Sequence, residues 1–426
     1  MKSALCVWWD ARLVGALEVN SHGEMSFRYT SDWLTDGRAP PLSASLPKQM
    51  EPFSRRACQP FFGGLLPEEA PRELVAKLLG ISKGNTFELL KALGGDVAGA
   101  LTLWLEGESP PKMSIDPQTL VEELDDARLR ALLDILPSRP LMAGSQGLRL
   151  SLAGAQSKLP VVLRQGRIAL PAPGMPTTHI LKPPIPRFTH TTENEAFAMR
   201  LAAAIGLDVA TVEPRVVDGR SFLLIARYDR TVDAYGQTHR LHQEDFCQAL
   251  GVDSERKYAS EGGPTFKICF ELLRRVCARP AIDVLKLLDA AIFNVLIGNC
   301  DAHGKNFSLL YAKPGTALAP LYDLLSTVAY PELSPTLAMK MGKCATLTEM
   351  DASSWRKFAN DAGLAAPFVQ KRLLELGNKI VAHSNQIIAP LTATGLQEAP
   401  LVQLAALVNR RVRQALSASD TKVWQS

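Results

Sequence analysis

A chain of 426 residues is long enough for two or three domains, or for one large two-lobed enzyme with a sizeable core. Its 46% hydrophobic and 21% charged residues are ordinary for a globular protein, and a net charge of +4 permits an acidic partner or a nucleic-acid patch without demanding either. Seven scattered Cys with no Cys-x-x-Cys pair argue against a disulfide framework or zinc site, Asp10 and Arg12 interrupt the apolar start, and no uncharged run is long enough to span a bilayer, so a cytoplasmic protein with no membrane partner is expected.

The opening text is strand-like at Leu5–Trp9, Leu13–Val19 and Met25–Tyr29, with turn signals at His22-Gly23 and Pro40-Pro41. Pro71 sits near the first turn of a helix with Leu78 and Leu79 on its apolar side, and Phe87–Leu93 gives a second helix stopped by Gly94-Gly95. Residues 1–105 therefore read as an amino-terminal subdomain. Residues 106–146, with Pro110-Pro111 and Ser138-Arg139-Pro140, read as a linker carrying one amphipathic helix. Residues 147–230 read as a β-rich small lobe, with strands at Leu148–Leu152, Leu159–Leu163, Arg167–Leu170 and His179–Lys182. A helix follows at Thr192–Ile205, then strands at Val212–Val217 and Phe222–Ala226. Residues 231–426 are mostly helical. An apolar helix over Leu285–Ile297 ends at Gly298-Asn299, Phe307–Tyr311 is a strand, and helices over Pro367–His383 and Leu401–Leu416 close the chain.

Chemistry concentrates in Asp301-Ala-His303-Gly-Lys305-Asn306, followed by Tyr322-Asp323. An Asp five residues before an Asn, then a second Asp, suits metal-dependent phosphoryl transfer: one carboxylate orients the attacking hydroxyl, and the Asn amide and second Asp hold Mg²⁺ on a triphosphate. The bland reading is an ordinary Asp/Asn turn. Upstream, Ser151-Leu-Ala153-Gly154-Ala155-Gln156-Ser157-Lys158 joins two strands, where small residues let backbone N–H groups approach phosphate; a plain hairpin is the alternative. Lys182 ends an apolar strand, and Glu195 lies on the next helix, like the Lys–Glu pair that positions nucleotide. Thr192–Glu195 also fits a capping box. Ala226-Arg227-Tyr228 falls where an adenine-binding hinge belongs, against the alternative of an edge strand with a surface Asp/Arg pair. Arg410, Arg411 and Arg413 read as a solvated helix face, with a DNA-phosphate contact the minority reading. Taken in order, these stations predict an α+β, two-lobed protein-kinase-like fold, with a β-rich amino-terminal lobe carrying an extra subdomain and a mostly α-helical carboxy-terminal lobe.

On these residues the chain resembles the HipA family of bacterial Ser/Thr kinase toxins over nearly its whole length. The resemblance is carried by Ser151–Lys158, by His242-Gln-Glu-Asp-Phe-Cys247 with Lys257-Tyr258 and Gly262-Gly263-Pro264, and by Leu296–Ser308 with Leu321–Ser326. Phe61–Pro67 and Gly94–Ala100 are similar to the family's amino-terminal subdomain. It implies Asp301 as catalytic base, and Asn306 and Asp323 as Mg²⁺ ligands. It implies ATP phosphate contacts from Ala153, Gly154, Ala155, Gln156, Ser157, Lys158 and Lys182, and adenine contacts from Ala226, Arg227 and Tyr228. It further implies that His303 and Tyr322 lie beside the nucleotide and that Ser151 is the autophosphorylation position. Implied partners are a helix-turn-helix, HipB-like antitoxin dimer, operator DNA through that complex, and an aminoacyl-tRNA synthetase as substrate. Ser157 departs from the pattern, standing where the best-known member has Glu. Rival readings are a small-molecule or lipid kinase, because Asp-x-His-x-x-Asn also occurs in phosphoinositide-kinase-like loops, and a DNA co-repressor with little kinase activity.

Overall fold

The computed structural model describes residues 3–110, 121–145 and 148–418; residues 111–120 and 146 of the expected linker, and Gly147 at the expected start of the small lobe, lie outside them. The described residues divide into two compact units. Unit 1 runs to Ile185 and takes in Val217–Arg220 and Leu224–Glu255. Unit 2 comprises Pro186–Val216, Ser221–Leu223 and the chain from Arg256 onward.

Unit 1 opens with strands β1 (Ser3–Trp9), β2 (Arg12–Val19) and β3 (Met25–Tyr29), and then helices α1 (Ser31–Thr35), α2 (Arg55–Gly63), α3 (Glu69–Leu79) and α4 (Thr86–Leu93). With β4 (Leu101–Leu105) the strands form an antiparallel sheet of order β3-β2-β1-β4. Alternation sends Met25, Phe27 and Tyr29 inward from β3, onto Phe61, Phe62, Leu90 and Leu93 of the helices. Gly15 is required here because a Cβ would strike the Arg28 carbonyl and, at 2.7 Å, the Phe27 ring. In α3 the inward positions are Pro71, Val75, Ala76 and the partly buried Leu79; Leu78, expected on the apolar side, falls outside that stripe and is exposed.

A second sheet gathers β5 (Val121–Glu123), β6 (Leu159–Arg164), β7 (Arg167–Pro171) and β8 (His179–Lys182), with the amphipathic helix α5 (Asp126–Ile135) capped by the Asp125 side chain. The chain then passes through α6 (Thr191–Ala204) and most of β9 (Val212–Val217) in unit 2. Returning, β10 (Arg220–Ala226), which the unit boundary crosses, gives the order β5-β7-β6-β8-β10. Leu148–Leu152 is not a strand. Its alternating leucines do turn inward, Leu150 and Leu152 being buried, but its ladder is a single parallel bridge between Leu150 and Asp96, with the Ser151 N–H donating to the Asp96 carbonyl. Unit 1 ends with the hairpin β11 (Arg230–Val232) and β12 (Thr238–Arg240), strand β13 (His242–Asp245) and α7 (Phe246–Leu250).

Unit 2 is built on α8 (Phe266–Val276) and α9 (Pro280–Ile297), followed by the hairpins β14 (Ser308–Ala312)–β15 (Gly315–Leu318) and β16 (Thr336–Met341)–β17 (Cys344–Thr346). The β16–β17 hairpin interrupts a stretch whose text reads as helical. Helices α10 (Ala352–Asp361), α11 (Ala366–His383), α12 (Ile388–Thr392) and α13 (Glu398–Ala418) complete it. Phe266, Phe270, Phe307, Trp355 and Phe358 meet edge-on or tilted, with Phe266 and Phe358 centroids 5.4 Å apart. This core seats Phe307 directly after Asn306. The capping box read at Thr192–Glu195 does not form: α6 starts one turn position earlier, after His190 in the left-handed conformation, and no side chain caps it. All seven Cys are free thiols, and no described helix is long and apolar enough to cross a membrane.

Candidate active site

Helix α9 is buried through most of its last two turns and stops at Gly298 (φ +80), where a Cβ would lie 2.5 Å from Val328 and 2.6 Å from the Arg411 guanidinium. A relay of amides carries the helix end into the next loop. Asn294 Nδ2 donates to the Ala290 carbonyl, Asn299 Nδ2 donates to Asn294 Oδ1 (2.8 Å), and the Asp301 N–H donates to Asn299 Oδ1 (3.0 Å). Thr327 Oγ1 accepts from the Cys300 N–H and donates to the Gly298 carbonyl. Arg411 Nη2 donates to the Val295 carbonyl at 3.1 Å, where the helix dipole is negative. The Asp301 backbone is thereby fixed from several sides.

The loop closes on itself through His303, whose N–H meets both the Asp301 carbonyl (2.9 Å) and Asn306 Oδ1 (3.2 Å). Asn306 Nδ2 donates to Asp323 Oδ2 at 2.9 Å. Tyr322 Oη donates to the Lys305 carbonyl (2.6 Å) and lies 2.7 Å from Ser308 Oγ. Asp323 has φ +58, a left-handed backbone that costs a non-glycine residue about 1–2 kcal/mol. The following turn is held in place by Asn194 of α6, which donates to the Ser326 carbonyl (2.9 Å) and accepts the Ser326 N–H (2.8 Å). Such strain persists where surrounding contacts over-determine it. Tyr258 Oη donates to Asp301 Oδ1 at 3.1 Å, and its ring stands edge-on to His303 at 5.5 Å. Unit 2 thus brings Asp301, His303, Asn306, Tyr322 and Asp323 together.

The other expected site residues lie in unit 1. Gly154 has φ +119, and a Cβ there would strike the Lys158 ammonium, which folds back onto the Ala153 carbonyl (2.8 Å). Gln156 Nε2 donates to the Pro183 carbonyl. Ser151 is fully buried, its hydroxyl donating to the Leu65 carbonyl at 2.7 Å. Lys182 is buried at the end of β8, whereas Glu195, also buried, belongs to unit 2. The Arg227 N–H donates to the Thr178 carbonyl, and Tyr228 Oη bonds Gln243 Oε1. The Asp/Arg pair after β10 is not on the surface. Both residues enter a buried network because guanidiniums and carboxylates from distant segments converge there.

That network is the largest feature missed by sequence reasoning. Asp96 accepts from Arg230 (3.0 Å) and Arg240 (3.0 Å) on Oδ1, and from Arg227 (3.2 Å) and Thr177 (2.7 Å) on Oδ2. Asp229 accepts from Arg227 and from the Gly99 N–H. Burial alone would raise both carboxyls, but the guanidiniums hold Asp96 and Asp229 below the usual carboxylate range. Burial and its like-charged neighbour Arg227 push Arg230 down to about 10. The signal available in the text was Asp96 inside the Gly94–Ala100 motif. The motif beginning at His242 has a structural role: Glu244 accepts from the Ser43 hydroxyl and the Ala44 N–H, and Gln248 donates to the Phe61 carbonyl. Buried His242, pushed down to about 4, bonds the Leu42 carbonyl. The Arg410–Arg413 cluster also needs correction. Arg410 and Arg413 are exposed, but Arg411 turns inward to the end of α9, since that helix supplies carbonyls without intrahelical partners.

Family models match most of the chain: a HipA-like C-terminal domain over residues 150–384 and a HipA N-terminal domain over residues 5–104. Y4mE of Sinorhizobium fredii, named as a kinase, is 63% identical over 372 residues, covering 87% of this chain and 89% of that protein. HipA of Shewanella oneidensis, named as a serine/threonine-protein kinase toxin, is 30% identical over 404 residues, covering 89% and 90%. A solved Shewanella oneidensis MR-1 complex of HipA, HipB and operator DNA superposes with a TM-score of 0.84 at 28% identity, covering 99% of each chain.

Proposed function

Because this chain belongs to the HipA family, we propose that it is a Mg-ATP-dependent serine/threonine protein kinase that serves as the toxin of a toxin–antitoxin module. The observation that carries this reading is the Asp301–Asn306–Asp323 cluster, held by a strained backbone and an amide relay. Asp301 accepts the hydrogen bond of the attacking Ser or Thr hydroxyl and orients it for in-line transfer. Asn306 and Asp323 carry side-chain oxygens of the kind Mg²⁺ takes, and the 2.9 Å bond from Asn306 Nδ2 to Asp323 Oδ2 keeps the two side chains adjacent. A Mg²⁺ held by these two residues would supply charge neutralisation to the transferring phosphate. Within unit 1, Ala153–Ser157 and Lys158 offer a phosphate loop, Lys182 a buried cation, and Ala226–Tyr228 an adenine edge.

The partners in this reading are a HipB-like helix-turn-helix dimer, operator DNA through that complex, and an aminoacyl-tRNA synthetase as substrate. Autophosphorylation at Ser151 completes it. Because Ser151 is buried on the Leu65 carbonyl, its hydroxyl reaches a γ-phosphate only after the loop leaves unit 1. A phosphoserine, with its one to two added charges, has no room to return. Incubating the protein with labelled Mg-ATP and total cell protein tests the proposal. A discrete labelled band that disappears with Asp301→Asn supports it. Transfer to a small molecule, or equal labelling by wild type and Asp301→Asn, overturns it.

A further inference from the structure

Among the motifs the proposed function leaves without a role is Lys257-Tyr258 with Gly262-Gly263. We infer that this segment is a platform built to hold the Tyr258 hydroxyl on the catalytic carboxylate, making Tyr258 a positioning residue for Asp301. The inference rests on the kinase reading and names a further part of the same site.

The geometry begins with two glycines. A short 3₁₀ turn, Ala259–Glu261, follows Tyr258 and ends at Gly262 with φ +85. The N–H groups of Glu261 (3.0 Å) and Gly263 (2.9 Å) both donate to the Tyr258 carbonyl, so the chain coils back over that residue. A Cβ on Gly263 would strike the Arg256 carbonyl and sit 2.7 Å from the Tyr258 carbonyl; a Cβ on Gly262 would strike the Arg256 guanidinium. Arg256 Nε donates to the Glu261 carbonyl at 3.1 Å and closes the coil from outside. Thr265, two residues on, caps α8, whose Phe266 belongs to the aromatic core beneath Asn306-Phe307. The coil is therefore tied to the core that seats the catalytic loop.

From this base the Tyr258 side chain reaches the catalytic segment, its hydroxyl donating to Asp301 Oδ1 and its ring edge meeting His303, while Lys257 Nζ lies 5.4 Å from the ring centroid. A carboxylate on a loop rotates about its last torsion, and a donor fixed on one oxygen restricts that rotation. The restriction acts on the reaction rather than on nucleotide binding, because orientation of the base matters when the acceptor hydroxyl attacks.

Steady-state turnover of Mg-ATP to ADP, with water as acceptor, tests this in the full chain. Wild type, Tyr258→Phe, Asp301→Asn and the double variant are compared, with unfolding midpoints measured for each. Tyr258→Phe is expected to keep its midpoint, hold KM for Mg-ATP within about twofold, and lose about tenfold in kcat, the scale of one hydrogen bond to a charged group. Because Tyr258 acts through Asp301, the double variant is expected to be no slower than Asp301→Asn alone. Additive losses, a loss confined to KM, or a kcat within twofold of wild type would overturn the inference. Faster turnover in Tyr258→Phe also overturns it, since the hydroxyl would then be occupying the acceptor's place. Equal turnover by wild type and Asp301→Asn sinks the kinase reading itself, whatever Tyr258→Phe does.

Discussion

Asp96 in unit 1 and Asp323 in unit 2 are both carboxylates brought to donors far along the chain, and their partners separate structure from chemistry. Arg227, Arg230 and Arg240 converge on Asp96, cancelling its charge where it is almost fully buried. Asp323 meets the neutral amide of Asn306, and Asp301 the neutral phenol of Tyr258. A guanidinium compensates a buried charge, so such a site holds its segments together. An amide or phenol donating to one carboxylate oxygen fixes how that carboxylate points, which is what orienting a hydroxyl or holding a cation requires. Residue type alone therefore does not tell an Asp that ties segments together from one proposed for chemistry; the contacts around it carry the distinction.

Two substitutions should break this comparison in opposite ways. Asp96→Ala removes the carboxylate on which Arg227, Arg230 and Arg240 converge, and is expected to cost about 3–5 kcal/mol of stability, the scale for removing one partner of a buried ion pair. Urea unfolding checks it, and an unchanged midpoint would dissolve the distinction. Asp301→Asn and Asp323→Asn should do the reverse, leaving the midpoint near wild type while transfer falls about a hundredfold or more. Parallel measurement of unfolding and labelled-phosphate transfer separates the two classes.

The comparison also marks how far the sequence is legible. Strands β3, β8 and β9 match their expected bounds, because alternation of apolar residues records which face is buried. The end of α9 at Gly298 follows from a residue that tolerates φ +80, and short spacing alone places His303 and Asn306 beside Asp301. What the text does not record is pairing over distance. Arg227 and Arg230 reach Asp96 across more than 130 residues, and Asn194 reaches Ser326 across 132. The same blindness makes Leu148–Leu152 look like a strand, since its alternation is real and its missing ladder is not written locally. The family pattern points to these stretches without saying which residues hold the fold and which do chemistry.

Acid should sharpen the contrast, because unit 1 carries groups whose pKa values are shifted downward. His242 is pushed to about 4 by burial, below its ordinary 6.5, so the unfolded chain takes up its proton first. Its contribution to stability is complete above about pH 6.5 and is lost as pH falls toward 4. The contributions of Asp96 and Asp229 are present above the ordinary carboxylate range and are lost only below it. Urea midpoints should therefore decline in two stages on acidification. His242→Gln should flatten the stage between pH 6.5 and 4, while leaving the lower one. A single decline confined to pH below 4 in wild type would remove His242 from the account.

The smallest effect expected lies at the far end of the chain, where a row of three arginines divides by partner as the two carboxylates do. Arg410 and Arg413 are exposed on α13, and replacing either by Ala should change stability by no more than about 0.5 kcal/mol. Arg411, largely withdrawn from solvent, places its guanidinium on the Val295 carbonyl and against Gly298, one turn before Asp301. Its loss removes a hydrogen bond and a cation from the negative end of α9, together worth about 1 kcal/mol. Because that helix end leads into the Asn294–Asn299–Asp301 relay, Arg411→Ala should lower transfer severalfold in addition, with nucleotide affinity little changed. Unfolding midpoints and transfer rates for the three single variants decide it: three equal, negligible losses would return Arg411 to the solvated face its sequence suggests, whereas a loss confined to Arg411→Ala assigns that side chain to the support of the Asp301 loop.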